Sequence, residues 1–359
     1  MTTPGSARAR AAAFCERFDL DIPILLAPMA GVAAPALSIA VATAGGMGAC
    51  GVLMMSPDKI ADWVHQVRGT TNGSFQLNTW IPDPAPARDA EAEAAVRSFL
   101  GAWGPAVPAD AADQPAPDFE AQVAAMLAAG PPAMSSIMGL FPPDVVATMK
   151  ERRIPWFATV TTVAEAVAAT EAGADVIVAQ GAEAGGHRGS FEPARPDQAQ
   201  IGLFALLPAV VDAVDVPVVA TGGIADARGI AAALSLGASA VQIGTGFLRT
   251  PEAAIPTAWS EGIGAALPED TMATRAFSGR LGRSLRTAYA AAAAEETAPA
   301  PAPYPVQRAL TQPMRAAASA ANDLDGMQAW AGQSARLAPP EPAADLVVRL
   351  WSEAQAMLP

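Results

Sequence analysis

The sequence predicts an α/β protein: a (β/α)8 TIM barrel with a smaller C-terminal helical subdomain. Eight short apolar runs recur between residues 24 and 248, and each is followed by a stretch with the apolar spacing of a helix. The runs are apolar on both alternating faces, which is typical of parallel strands that helices cover on each side. Eight units favour a closed barrel, and a chain of 359 residues accommodates a barrel of roughly 250 residues with an appendage.

The predicted strands occupy residues 24–29, 47–52, 75–80, 133–140, 156–161, 176–181, 216–223 and 240–248. The run at 133–140 is the weakest of them. Helical spacing is clearest at 164–172 and 225–236. A Rossmann sheet would instead carry a GxGxxG turn after its first strand, and the sequence Ala-Pro-Met-Ala-Gly at 27–31 does not match that pattern.

Two segments interrupt this rhythm. Residues 81–119 are rich in Pro, Ala and Asp around a helix-like stretch at 88–100, which predicts an extended barrel connection. A lid over the barrel is an alternative interpretation of the same segment. Residues 290–303 are almost entirely Ala, Glu and Pro, which predicts a surface connector. Helical stretches follow at 311–321, 325–337 and 343–357. We therefore expect a barrel over residues 1–265 and a C-terminal extension over 266–359.

Composition narrows the classes of partner and location. The net charge of −13 argues against a nucleic-acid or anionic-membrane partner, and an anionic ligand would need a local source of positive potential. No membrane span and no signal peptide are predicted, so we expect a cytoplasmic protein. Cys15 and Cys50 predict reduced packing residues and no metal site. The oligomeric state stays open, with a homodimer as one alternative.

The segment 179–189, Ala-Gln-Gly-Ala-Glu-Ala-Gly-Gly-His-Arg-Gly, is the strongest chemical motif. It follows the apolar run 176–178, so it leaves the carboxyl end of a strand, where barrel enzymes place their active sites. A histidine in such a loop can accept a proton near neutral pH, which makes His187 the candidate catalytic residue. The other histidine, His65, is predicted on a surface helix without a chemical role. Arg188 is predicted as a solvated loop residue, with added positive potential as the alternative.

Glycine-rich turns follow the seventh and eighth predicted strands, at Gly222-Gly223 and at Gly244-Thr245. In barrels these two loops and a following helix N-terminus often bind phosphate through backbone N–H groups. Either turn alone would fit a phosphate site and a simple chain reversal equally well, whereas the pair predicts a phosphate site. Asn78, at the end of the third strand, is a candidate for the edge of a planar cofactor or for a loop cap.

The segments 23–31, 180–189, 222–224 and 242–245, in this order, resemble the nitronate monooxygenase family, once called 2-nitropropane dioxygenases. Residues 304–315 and 329–333 resemble further motifs of that family, so the resemblance spans nearly the whole chain. It implies FMN bound without covalent attachment and His187 above the flavin beside the substrate. The cofactor contacts that it implies are Ala27, Pro28, Met29, Asn78, Gln180, Gly185, Gly186, Gly222, Gly223, Gln242, Ile243, Gly244 and Thr245.

The resemblance also implies a reaction, the oxidation by O2 of alkyl nitronates, and of nitroalkanes as further substrates, to a carbonyl compound and nitrite or nitrate. His187 would take a proton from a nitroalkane or hold the oxygens of a preformed nitronate, for which propionate 3-nitronate is the family expectation. Two alternatives remain open: an FMN-dependent NAD(P)H reductase of the enoyl-acyl-carrier or quinone reductase type, and a flavin-binding protein without turnover.

One departure concerns the substrate. Many family members carry a histidine after the fourth strand, whereas residues 135–140 here read Ser-Ser-Ile-Met-Gly-Leu, with Ile137 at that place. We therefore expect a more apolar pocket wall.

Overall fold

A computed structural model describes residues 5–32, 34–113, 117–193 and 196–359. The strands are β1 Ile24–Leu26, β2 Gly48–Gly51, β3 Phe75–Trp80, β4 Ala133–Ile137, β5 Trp156–Val160, β6 Val176–Gln180, β7 Gly186–His187, β8 Val218–Thr221, β9 Ala240–Ile243, β10 Thr271–Thr274 and β11 Gly282–Leu285. Eight of them form one parallel sheet in the order β1-β9-β8-β6-β5-β4-β3-β2. A parallel bridge between Leu25 and Met47 joins its two edges. The sheet is therefore a nearly closed barrel, and the predicted fold class is confirmed.

Helices cover the outside of this barrel. They are α1 Ala7–Phe18, α2 Pro35–Thr43, α3 Pro57–Arg68, α4 Ala90–Leu100, α5 Phe119–Ala129, α6 Pro143–Glu151, α7 Val163–Glu171, α8 Leu203–Ala213, α9 Ala227–Ser235, α10 Thr257–Ala265, α11 Ala288–Ala292, α12 Val306–Leu310, α13 Gln312–Ala320 and α14 Ala343–Met357. The last of them, α14, packs between α9 and α2 and so completes the outer layer. Among the described residues, no helix is both long and apolar enough to cross a lipid bilayer.

Helix α1 closes the amino-terminal end of the barrel. It begins at Ser6, whose hydroxyl caps the first turn by accepting the N–H of Ala9. Its Phe14 and Phe18 pack against Phe157 inside the barrel, with ring centroids 6.3 Å and 5.0 Å away. Burying a ring of this size contributes about 1.5–3 kcal/mol. The opposite, carboxyl end of the strands is where a ligand can enter.

Glycines end several strands earlier than the apolar runs predict. The predicted strand 216–223 stops at Thr221, because Gly222 and Gly223 have φ angles of 106° and 70°. The predicted strand 240–248 stops at Ile243, since a short 3-10 helix, Thr245–Phe247, begins there. Both turns therefore reverse the backbone directly at the rim of the barrel.

The predicted helix at 325–337 is wrong. The segment contains only two short 3-10 turns, Leu324–Gly326 and Ala335–Leu337, with extended chain between them. Trp330 in that extended part forms an antiparallel bridge with Ser284. Long-range pairing with the barrel rim thus overrides the local helical spacing.

A second, three-stranded sheet connects the C-terminal segment to the barrel. Strand β11 pairs antiparallel with both β10 and β7. In this register Gly282 lies opposite His187, so residues beyond 265 hold the strongest chemical motif in place. The connection at 81–119 contributes Val96 and Leu100 of α4 to a core with Tyr289. Residues 114–116 of that connection lie outside the described part.

Candidate functional site

A cavity of about 380 Å³ opens at the carboxyl ends of the barrel strands. The predicted site residues that line it are Ala27, Pro28, Met29, Asn78, Gln180, Gly185, Gly186, His187, Gly222, Gly223, Gln242, Gly244 and Thr245. Ile243 does not line it, because its side chain faces outward into the core between sheet and helices. The alternation of side chains along a strand explains both results, since Gln242 and Ile243 point to opposite faces.

One end of the cavity is rich in unpaired backbone donors. Within the described part of the chain, the N–H groups of Gly223, Gly244 and Thr245 have no hydrogen-bond acceptor. The N-terminus of α9 is already capped, because the carboxylate of Asp226 accepts the N–H of Gly229 at 3.0 Å. The donors available to an anion are therefore the amides of the two glycine turns rather than the start of α9.

His187 lines the same cavity and lies among aromatic rings. Its ring centroid is 4.7 Å from that of Trp80 and 4.8 Å from that of Trp330, both in edge-on arrangements. Its Nε2 atom is 2.7 Å from the hydroxyl of Ser278. The other ring nitrogen, Nδ1, has no partner among the described residues. The imidazole is thus fixed on one side and free on the other.

The charges around His187 favour its neutral form. Burial, and after it the nearby guanidinium groups of Arg280, Arg308 and Arg315, together lower the pKa of His187 to about 3. Arg308 lines the cavity, and within the described residues its guanidinium has no hydrogen bond or ion pair. Arg315 also lines the cavity and donates to Gln328 Oε1 at 2.7 Å. A chain of net charge −13 therefore has a locally positive site.

Arg188 is buried, and the prediction of a solvated loop residue is wrong. Its side chain is 6% exposed and donates to the carbonyl oxygens of Gln180, Thr161 and Ala199 at 2.5, 3.2 and 2.8 Å. Burial lowers its pKa to about 10. The residue clamps the loop that carries His187, because the glycine-rich backbone supplies carbonyls that need donors inside the protein.

Gln180 uses its side-chain amide within the same loop. Its Nε2 donates to the carbonyl of His187 at 3.1 Å, and its Oε1 accepts the N–H of Gly189 at 2.8 Å. Gln180 lines the cavity, but its side chain is committed to holding the loop. The effect of this residue on a ligand therefore passes through the backbone around His187.

The remaining sequence predictions have clear outcomes. Ile137 lines the cavity, so the expected apolar wall is present. His65 is exposed on α3, as predicted. Cys15 and Cys50 are free and buried, and burial raises their pKa values to about 11 and about 12, which keeps both thiols protonated. Among the described residues, no group of three acidic, histidine or cysteine side chains is arranged to hold a metal ion.

Several residues of the site were not predicted individually. Arg308, Arg315 and Trp330 lie in the C-terminal motifs, and only the motif resemblance pointed to them. Trp80 ends β3 two residues after Asn78, where the strand reaches the rim. Ser278 and Thr221 carry no local sequence pattern that marks them. Ser278 meets His187 only through a contact across 91 residues of chain.

The comparisons with known proteins agree with this geometry. The family described as nitronate monooxygenase matches residues 13–353. A nitronate monooxygenase of Paraburkholderia phytofirmans is 40% identical over 93% of this chain and 92% of its own length. The structure of a nitroalkane oxidase from Streptomyces ansochromogenes is similar with a TM-score of 0.85 and 36% identity, over 95% of this chain and 99% of that one. FabK from Thermotoga maritima is similar with a TM-score of 0.75 and 27% identity, over 96% of both chains.

The barrel and the site at its rim define an enzyme of the oxidoreductase class. The match over nearly the whole chain makes the assignment more specific. The chain belongs to the nitronate monooxygenase family.

Proposed function

We propose that this enzyme is an FMN-dependent nitronate monooxygenase that oxidises alkyl nitronates with O2 to a carbonyl compound and nitrite or nitrate. The observation that carries the proposal is the pairing of a neutral His187 with unpaired positive charge at Arg308 in one cavity. A nitronate is an anion with an electron-rich carbon, so it matches a positive site whose described lining residues include no carboxylate. The relatives named for nitronates and nitroalkanes support the same substrate class.

The cavity suits FMN by the chemistry of its walls. The unpaired N–H groups of Gly223, Gly244 and Thr245 are the donors that a phosphate requires. A Cβ atom at Gly222 would lie 3.1 Å from the N of Ala184, so glycine allows the first glycine turn to pack closely against the loop that carries His187. The small side chains around Pro28 and the amide of Asn78 would border a planar ring. When bound, FMN supplies the redox chemistry with O2, and the protein supplies orientation and charge.

The two parts of the chain divide the work in this proposal. We assign cofactor binding to the barrel, residues 1–265, because both glycine turns belong to it. The extension, residues 266–359, supplies Ser278, Arg308 and Arg315 on the side that faces His187.

The charges around His187 favour its neutral form, because protonation would place a fourth positive charge beside Arg280, Arg308 and Arg315. Its Nε2 lies 2.7 Å from the hydroxyl of Ser278, and that hydroxyl also lies 3.2 Å from the carbonyl oxygen of Arg280, so its one proton has two acceptors within reach. In the proposed nitronate complex Ser278 donates to Nε2, and Nδ1–H is available to a nitronate oxygen without adding charge. With the Ser278 proton on the carbonyl of Arg280, Nε2–H donates to Ser278 and Nδ1 is an acceptor for the α-proton of a nitroalkane.

An NAD(P)H-dependent reductase remains the second candidate. A further cavity of about 480 Å³ shares Met54 and Arg308 with the first, which offers space and a cation for a second nucleotide. This candidate requires rapid reduction of the flavin by a pyridine nucleotide.

One experiment separates the two functions. The purified protein is mixed anaerobically with propionate 3-nitronate or with NADH or NADPH, and the flavin absorbance is followed. We expect the nitronate to reduce the flavin quickly, both pyridine nucleotides to reduce it slowly, and O2 consumption to follow on admitting air. Fast bleaching by NADPH with no response to nitronates would overturn the proposed function in favour of the reductase.

A further inference from the structure

The barrel interior beneath the cavity is mainly apolar. Its buried apolar side chains are Leu25, Met47, Ala133, Phe157, Val176, Val178, Val219 and Ala240. Ser135 of β4 is also buried there and accepts the side-chain amide of Asn78 at 3.0 Å. Gln76 of β3 faces the same interior, two residues before Asn78, and is completely buried. An amide in such surroundings destabilises a fold unless its hydrogen bonds are made, so its presence calls for a physical reason.

Among the described residues, Gln76 makes one side-chain hydrogen bond, and that bond reaches the cavity floor. Its Nε2 donates to Oε1 of Gln242 at 3.1 Å, across the barrel from β3 to β9. Its own Oε1 is buried and has no partner in the described part of the chain. The one hydrogen bond of the Gln76 amide is therefore directed at a residue that lines the cavity.

The contact determines what Gln242 can offer to a ligand. The backbone carbonyl of Gln242 accepts the hydroxyl of Thr221 at 2.8 Å, and its side-chain Oε1 accepts Gln76. Its side-chain NH2 has no acceptor among the described residues. Because Oε1 of Gln242 is turned toward Gln76, the other half of the Gln242 amide, its NH2 group, is left for the cavity.

We propose that Gln76 is a positioning residue that locks Gln242 as a hydrogen-bond donor to the bound flavin. The inference rests on the proposed function, since it takes FMN as the ligand of this cavity. Gln76 touches neither cofactor nor substrate and acts only through the orientation of the Gln242 amide.

The test is a titration of FMN into flavin-free full-length protein, followed by the quenching of flavin fluorescence. Gln76→Met keeps the volume and removes the donor to Gln242, so the amide of Gln242 is free to turn. We expect the dissociation constant of FMN to rise about 3- to 10-fold, the loss of one ordinary hydrogen bond. The visible absorbance band of the bound flavin should shift as well, because its hydrogen bonding changes.

Thr79→Val is the matched control. Thr79 lies on the same strand, is equally buried and also has an unpartnered polar atom, but it faces away from the barrel interior and does not line the cavity. This substitution should leave both the FMN dissociation constant and the spectrum unchanged. An equal effect of Thr79→Val would show that general loosening of β3 explains the result, and the proposal would be overturned.

A double substitution decides whether Gln76 acts through Gln242. In a Gln242→Met background, Gln76→Met should have no further effect on FMN affinity, because the residue through which it acts is already lost. An undiminished effect in that background would overturn the proposal, as would the absence of any effect in the wild type. Gln76→Leu serves if Gln76→Met fails to fold, and failure of both would assign Gln76 a purely structural role. A wild-type protein that binds no FMN would instead defeat the proposed function itself.

Discussion

Replacing Arg188 by methionine tests most directly whether this residue holds the loop that carries His187. Methionine keeps most of the packing, but the carbonyls of Gln180, Thr161 and Ala199 lose their donors. A buried acceptor that loses its donor costs about 1 kcal/mol at the lower end, so the three carbonyls together cost about 3 kcal/mol.

This loss converts into a measurable shift of the melting temperature. An unfolding entropy of about 2.1 cal/mol/K per residue over 359 residues is about 0.75 kcal/mol/K, so the midpoint should fall by about 4 °C. Differential scanning calorimetry measures it, with exposed Arg286→Met as the control, which should stay within about 0.5 kcal/mol of wild type. An Arg188→Met midpoint within 1 °C of wild type would show that the buried guanidinium does not hold the loop.

Three further predictions concern the site itself. Arg308→Met should raise KM for propionate 3-nitronate about tenfold or more with little change in FMN affinity. Steady-state oxygen consumption at fixed ionic strength measures this KM, and an unchanged value would show that Arg308 does not bind the substrate. Gly222→Ala, at φ 106°, should weaken FMN binding at least tenfold through backbone strain and the close approach to Ala184, whereas near-wild-type affinity would contradict a phosphate at this turn. The folded-state pKa of His187 is depressed to about 3, so its contribution to stability is complete above pH 6.5 and is lost as the pH falls toward 3. Urea midpoints measured between pH 7.5 and 4 should therefore fall less in His187→Asn than in wild type, and parallel curves would refute this.

The barrel was predictable because its strands are apolar on both faces and its rim is marked by glycines. The positions of Gly185, Gly222 and Gly244 around one cavity follow from the rule that parallel strands share their carboxyl ends. The strand ends were less predictable, since positive φ angles at Gly222 and Gly223 stop β8 at Thr221 and a 3-10 helix stops β9 at Ile243, and hydrophobicity marks neither.

The residues that sequence reasoning missed are those whose role depends on distant contacts. Arg188 has the sequence context of an exposed loop, and only the folded loop surrounds it with carbonyls. Ser278 meets His187 through the pairing of β11 with β7, which no local pattern predicts. The helix predicted at 325–337 was wrong for the same reason, because the bridge from Trp330 to Ser284 overrides the helical spacing.

The pairing of β7 with β11 makes one site out of two parts of the chain. Gly282 lies beside His187, and the same C-terminal extension brings Arg308 to the cavity. The N–H of Gly332, also in the extension, donates to Oγ1 of Thr245 at 3.0 Å, so the extension reaches the second glycine turn as well. A change in the extension therefore acts on both ends of the cavity, and the barrel and the extension are expected to vary together.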